Sequence, residues 1–343
     1  MSKKKILITG GVGFIGTNAA INFIKKGWNV SIVDNLSKIG TDNNLRHLKQ
    51  NYLFKFHKID IRNTNKIDQL FKRNSYDMVL HLAGQVAVTK SIKVPKEDFE
   101  INALGTINIL EALRKHNNKA FFLNASTNKV YGKMDNAKLS IKKKKYQYKD
   151  FSKGIDESFP VDFHSPYGCS KGSAEQYVVD YARVYGLKTT SFRQSCIYGV
   201  HQYGIEDHGW ISWFIIALIL KKPFKIFGNG KQVRDILYID DLIKAYFLAY
   251  KNRQKISGEV FNIGGGPSNA ISILELFDRL SLYKKDFDKK KLNFSKWRVG
   301  DQKIFISNNN KAKKILNWEP EHSISQGIDK IFNWINKNVN LIK

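Results

Sequence analysis

Lys5-Ile-Leu-Ile-Thr-Gly10-Gly-Val-Gly13-Phe-Ile-Gly16 joins an apolar run to glycines placed three residues apart. The run from Lys5 to Thr9 reads as a buried strand, because apolar and β-branched residues follow one another without a polar break. The pattern beyond Gly13 has helical period to about Lys26, and Gly27 closes that helix as a C-cap. Between a strand and a helix, glycines let the backbone turn tightly. They also let a pyrophosphate approach the free amides at the helix N-terminus.

Outward from this turn, short apolar segments alternate with helical patterns. Strands are predicted over residues 30–33, 54–59, 78–82 and 120–124, ending at Asp34, Asp60, Ala83-Gly84 and Ser126-Thr127. Long helices are predicted over about 97–115 and 167–185, and a sixth strand over 189–192. Such alternation builds a parallel sheet with helices on both faces. Ligands in open sheets of this kind bind at the carboxyl ends of the strands. Beyond residue 200 the pattern is less regular, with a turn at Gly228-Asn-Gly230, a strand and helix over 235–250 and a strand over 259–263. The expected fold is α/β, a Rossmann-type doubly wound parallel sheet with a smaller, interleaved C-terminal substrate-binding domain. The larger part takes in residues 1–200 plus roughly 235–263, and the smaller part 201–234 and 264–343.

Composition narrows the class. The formal charge of +27 would draw anionic molecules of many kinds. The lysines are spread along the chain and asparagine is abundant, which is a compositional bias rather than a recognition patch. No zinc-finger or RNP motif accompanies it, so no nucleic-acid partner is expected. The dense run Lys142-Lys-Lys-Lys145 is predicted as a solvated loop. Cys169 and Cys196 form no disulfide framework, and the eight histidines include no ligand spacing, so no metal is expected. The longest apolar stretch, residues 210–220, is too short to cross a bilayer. The basic N-terminus lacks the apolar run of a secretory signal. A cytoplasmic protein with no membrane partner is expected.

Asp34 stands where a carboxylate would accept hydrogen bonds from a ribose diol and repel a 2′-phosphate, so NAD is the expected cofactor rather than NADP. In Ser165-Pro-Tyr-Gly-Cys-Ser-Lys171, Tyr167 and Lys171 lie four residues apart and share one helix face. Alone, such a pair is also what a surface helix shows. At the ligand edge of a sheet, an ammonium beside the phenol would pull its pKa down from about 10. That would supply a general base or acid near neutral pH.

With Asn35, Asp60-Ile61, His81-Leu-Ala-Gly84, Asn102, the segment from Thr127 to Gly132, Gly228-Asn-Gly-Lys-Gln-Val-Arg-Asp235, Phe261-Asn-Ile-Gly-Gly265 and Arg298-Val-Gly-Asp301, these residues resemble the extended short-chain dehydrogenase/reductase family of sugar-nucleotide epimerases and dehydratases. The likeness covers nearly the whole chain. It implies cofactor contacts from Gly10, Gly13, Phe14, Ile15, Gly16, Asp34, Asn35, Asp60, Ile61, Leu82, Ala83, Gly84 and Asn102. It implies that Thr127 hydrogen-bonds the reacting sugar oxygen, that Tyr167 transfers the proton, and that Lys171 holds the nicotinamide ribose and favours the phenolate. Tyr131 is expected to be a packing residue. Gln85, Thr127, Ser195 and Cys196 are implied on the substrate side, with Arg234 and Arg298 as guanidinium forks for its pyrophosphate.

Members that eliminate water carry an Asp-Glu pair directly after that Thr. This chain has Asn128-Lys129 instead, so simple oxidation and re-reduction is implied. Several phrases, among them Asp162-Phe-His-Ser-Pro-Tyr-Gly-Cys-Ser-Lys-Gly172, resemble the 2-epimerases of CDP-linked 3,6-dideoxyhexoses used in lipopolysaccharide O-antigen synthesis. A UDP-sugar 4-epimerase is the alternative. Ser195-Cys196 and Val200-His201 depart from the Phe-Asn and Pro-Arg of many relatives and leave sugar recognition open. The expected partner is a nucleotide sugar, with a CDP-sugar favoured, and the expected assembly is a homodimer or tetramer through the two long helices.

Overall fold

Ile6, Leu7 and Ile8 are fully buried on both faces of the strand they form, which places that strand inside a sheet rather than at its edge. The computed structural model describes residues 3–284, 287 and 292–342. Strand β1 (Lys5–Thr9) leads to α1 (Phe14–Lys25), β2 (Asn29–Asp34), α2 (Thr41–Asn51), β3 (Lys55–Lys58), α3 (Thr64–Arg73) and β4 (Met78–His81). Next come α4 (Val88–Lys93), α5 (Pro95–Phe99), α6 (Gly105–His116) and β5 (Phe121–Thr127). A hairpin of β6 (Leu139–Lys142) and β7 (Lys145–Tyr148) precedes α7 (Ser165–Tyr185), β8 (Lys188–Gln194) and β9 (Cys196–Tyr198). The remainder holds α8 (Trp210–Ile219), β10 (Ile226–Phe227), β11 (Val233–Tyr238), α9 (Ile239–Asn252), β12 (Glu259–Ile263), β13 (Ala270–Ser272), α10 (Ile273–Tyr283), β14 (Phe294–Ser295), β15 (Ile304–Phe305), α11 (Asn310–Leu316) and α12 (Ile324–Lys337).

Seven strands pair in parallel in the order β3-β2-β1-β4-β5-β8-β12. This is the doubly wound architecture that the strand–helix alternation predicts. Parallel neighbours need crossover connections, and these cover both faces. Because side chains alternate along a strand, Ile6 and Ile8 join one core with Ala19, Phe23 and Tyr246, while Leu7 joins another with Val33, Val79, Ile109 and Val178. A second, smaller sheet forms around β11, which pairs with β13, β15 and β9. Helix α9 then packs back on α1, and β12 completes the edge of the large sheet. Among the described residues no helix is long and apolar enough to cross a membrane.

Two local expectations need correction. The helix predicted over 97–115 begins at Pro95 and contains a wider π-helical turn over Glu100–Leu104 before α6. Such turns displace side chains from the regular helical rows, and Asn102 sits in this one. The lysine run at 142–145 is not a free loop but the turn of the β6–β7 hairpin, in which Lys142 pairs with Lys145. Lys144 and Lys145 bridge to Asp278 and Glu275 of α10 at 2.7 and 3.3 Å, so the run docks the hairpin on a helix.

One ion pair ties α7 to the sheet. Arg193 in β8 and Glu175 in α7 are both buried, with their closest approach at 2.6 Å. Arg193 also donates to the Tyr131 hydroxyl at 2.9 Å, and that hydroxyl donates to Asn262 of β12. Tyr131 stacks on Phe305 and is fully enclosed, which is a packing role. A charge without hydration must keep its partner. Glu175→Ala should therefore lower stability by about 3–5 kcal/mol in urea unfolding. The double variant Glu175→Met/Arg193→Met should lose less than that single change.

Candidate active site

The glycine turn at the end of β1 is shaped by close approach. Gly10 has φ +64°, and a Cβ there would stand 2.7 Å from the Ala83 amide nitrogen that follows β4. A Cβ on Gly16 would overlap the Gly10 carbonyl oxygen, so α1 can seat on the turn only with glycine there. Gly13 caps α1 without a side-chain acceptor. The first amides of a helix have no intrahelical acceptor and form a positive pole suited to an anion. Beside it, Asp34 accepts from the Val12 amide at 3.2 Å and the Leu36 amide at 2.9 Å. Burial pushes its carboxyl up, against the pull of those amides. Asn35 donates to Asp60 at 2.9 Å, and Arg62 grips Asp60 with two further bonds. Arg62 thereby holds the Asp60 carboxyl well below the usual carboxylate range.

The candidate proton-transfer groups meet where β5 ends and α7 begins. Thr127 closes β5, and Tyr167 and Lys171 face it from the first two turns of α7. The Tyr167 phenol lies beside Thr127 in the lining of one cavity. Tyr167 is 8% exposed. Burial pushes its phenol up to about 12, with Asp98 adding to the rise and Thr127 opposing it. Lys171 donates to the Ala125 carbonyl at 2.5 Å, and burial pushes its ammonium down to about 8. This corrects the expected electrostatics. Lys171 is turned toward the β5 backbone, and desolvation of the phenol decides the sign of the Tyr167 shift.

The opposite wall carries the phosphate-type cations, each with a carboxylate already beside it. Arg234 is buried, donating to Asp301 at 2.9 Å and to the Gln302 carbonyl at 2.7 Å. Lys129 stands 3.7 Å from the same Asp301. Arg298 lies over the Phe227 ring and pairs with Asp207 at 3.1 Å. These residues, the glycine turn and the Thr127–Tyr167 pair line one continuous cavity of about 730 Å³. Among the described residues no group of three or more His, Cys, Asp or Glu side chains could hold a metal ion.

Every residue implied as a catalytic, cofactor or substrate contact lines that cavity except Asn102. Asn102 lies behind it, accepting from the Gln85 amide and donating to Asp98 and Ser170. Gln85 lines the cavity, but both ends of its side-chain amide are engaged, by Ala87 and by Asp98. Ser195 donates to buried Asp235, which places its hydroxyl in the small sheet's framework, while Cys196 faces the cavity near Arg234. Sequence reasoning missed Lys38, Lys129 and Asp301 as cavity groups. The signal for Lys129 was its place two residues after Thr127, on the short turn that continues β5.

Known proteins share this arrangement. Residues 7–331 match the family described as GDP-mannose 4,6 dehydratase. The chain is 44% identical over 335 residues to a CDP-paratose 2-epimerase of Salmonella typhi, covering 96% of this chain and 98% of that protein. It is 35% identical over 343 residues to a UDP-glucuronate 4-epimerase of Thermodesulfobacterium geofontis, covering 98% of each. Among solved structures, the UDP-glucuronic acid 4-epimerase of Bacillus cereus, in complex with UDP-glucuronic acid and NAD, superposes with a TM-score of 0.83 at 28% identity, covering 97% of this chain and 99% of that one. The chain belongs to the GDP-mannose 4,6 dehydratase family, the extended short-chain dehydrogenase/reductase group of nucleotide-sugar epimerases and dehydratases.

Proposed function

We propose that this protein is an NAD-dependent nucleotide-sugar epimerase that interconverts CDP-paratose and CDP-tyvelose by inversion at C2. The observation that carries the reaction type is that Thr127 and Tyr167 line one cavity in which Asn128 and Lys129, rather than two carboxylic acids, follow Thr127. Dehydration would need an acid and a base at those two positions. Asn128 instead donates to Gln302 at 3.3 Å, and Lys129 is a cation. The substrate is proposed from the likeness to the Salmonella enzyme.

The residues present fit NAD. Gly10 and Gly16 let the turn and α1 pack closely, so that the free amides at the α1 N-terminus border the cavity where a pyrophosphate would lie, and Asp34 offers acceptor atoms where a ribose diol would lie. When bound there, NAD would supply a hydride acceptor and donor for the sugar carbon. Once its phenol has given up its own proton, Tyr167 Oη takes the proton of the C2 hydroxyl as the carbonyl forms and gives it back on re-reduction. Thr127 Oγ1 orients that oxygen and stabilises charge on it. Arg234 and Arg298 release their carboxylate partners to the substrate diphosphate, whose geometry a guanidinium matches better than a single carboxylate does.

Exposed apolar side chains support a homo-oligomer. Phe99 and Leu104 before α6, and Tyr177, Val184 and Tyr185 of α7, leave apolar side chains exposed on adjacent helices. A second copy of the chain would cover them.

Tyr167→Phe should lose about a thousandfold in turnover while the denatured protein still releases its NAD; wild-type turnover would remove Tyr167 from the mechanism. Product formed in deuterated water should carry no deuterium at C2 by NMR, and heavy labelling there would replace hydride transfer by enolisation. Arg298→Ala should raise KM about tenfold for CDP-paratose without changing bound NAD. A panel of CDP-, UDP-, GDP- and dTDP-sugars tests the substrate directly, and turnover of a UDP-sugar alone would point to a 4-epimerase.

A further inference from the structure

Asp98 lies in α5 with no exposed surface, and among the described residues it makes no salt bridge. Its partners are three donors. Gln85 Nε2 and Asn102 Nδ2 reach one oxygen at 2.8 and 3.2 Å, and Ser170 Oγ reaches the other at 2.5 Å. A set made only of donors suits a carboxylate, which accepts hydrogen bonds and offers none. Ser170 stands in α7 between Tyr167 and Lys171, and its backbone turn carries both. Asn102 links the same cluster to the Gln85 amide in the cavity wall.

The other charged or titratable groups facing the pair come from four elements. Lys38 reaches Lys171 from the segment after β2. His81, at the end of β4, is buried between Thr9 and Thr106, and burial pushes it down to about 3, so it is neutral. Glu175, on α7 itself, is tied to Arg193. Lys90 of α4 pairs with Glu97 beside Asp98. Asp98 is therefore the buried negative charge without a cation of its own. It raises the proton affinity of both Tyr167 and Lys171, as a charge in a poorly hydrated interior must.

We propose that Asp98 is a positioning residue for the catalytic pair: through Ser170 it fixes the first turns of α7, and its buried charge sets the pH at which Tyr167 yields its proton. This rests on the reading of Tyr167 as the proton-transfer group. It gives the resting enzyme a protonated phenol and a protonated Lys171 held by one counter-charge on the side of α7 away from the substrate.

The test is the pH profile of kcat/KM for CDP-paratose, measured on full-length holoenzyme. Asp98→Asn removes the charge and should move the inflection assigned to Tyr167 down by roughly half to one pH unit, and Asp98→Glu should restore it. Ser170→Ala keeps the charge but breaks its link to α7. It should lower kcat severalfold and leave the inflection in place. An unmoved inflection in Asp98→Asn overturns the proposal, as does a shift of equal size in Ser170→Ala. Should Asp98→Asn fail to fold, wild-type kcat in Ser170→Ala overturns it by itself. Tyr167→Phe run alongside separates the failures. Wild-type turnover there overturns both roles, whereas its inactivity beside an unmoved Asp98→Asn profile overturns Asp98 alone.

Discussion

A guanidinium and a carboxylate buried against each other hold helix α7 in place. Arg193 comes from β8 and Glu175 from α7, and Tyr131 and Asn262 complete the cluster from two further segments. Neither charge has water to fall back on, so α7 cannot slide along the sheet without exposing a large desolvation penalty. Lys171 is one turn before Glu175, and Tyr167 is one turn earlier still. Their distance from Thr127 is thus a consequence of where that ion pair is anchored. The sheet order adds the second half of the constraint, because β5 and β8 are neighbours and end at the same edge.

The cavity is lined by Arg234, Lys129 and Arg298 as well as by the glycine turn, and each of these three cations has a carboxylate beside it before any ligand enters. Asp301 lies between Arg234 and Lys129, and Asp207 lies beside Arg298. Such pairs keep several cations close together without the mutual repulsion that would spread them apart. They also make binding of a diphosphate an exchange of anions rather than the burial of a new charge. At the other end the anion-attracting elements are backbone amides, whose geometry depends on Gly10 and Gly16 lacking side chains. A protein with a strong positive charge overall therefore places only a few of its lysines and arginines where the charge acts.

Much of this was legible along the chain because the signals are local. The glycine spacing, the strand ends at Asp34 and Thr127, and the four-residue step from Tyr167 to Lys171 each follow from backbone period. Other features were not legible. Gln85, Ser195 and Asn102 are implied as ligand contacts by resemblance, and only the fold shows that their polar atoms also meet Asp98, Asp235 and Ser170, partners 13 to 68 residues away. The lysine run at 142–145 docks on α10, more than a hundred residues downstream. No local pattern announces such partners.

Residue order was enough to set the doubly wound sheet, its ligand edge and the residue types at that edge, since these depend on side-chain period and on glycine's freedom of backbone. Folding in three dimensions decided which of those side chains stay available. It turned the Lys171 ammonium toward Ala125, buried the Tyr167 phenol and set Asp98 behind both. Proton affinity depends on hydration and on charges in space, and both are properties of the packed interior rather than of spacing along the chain.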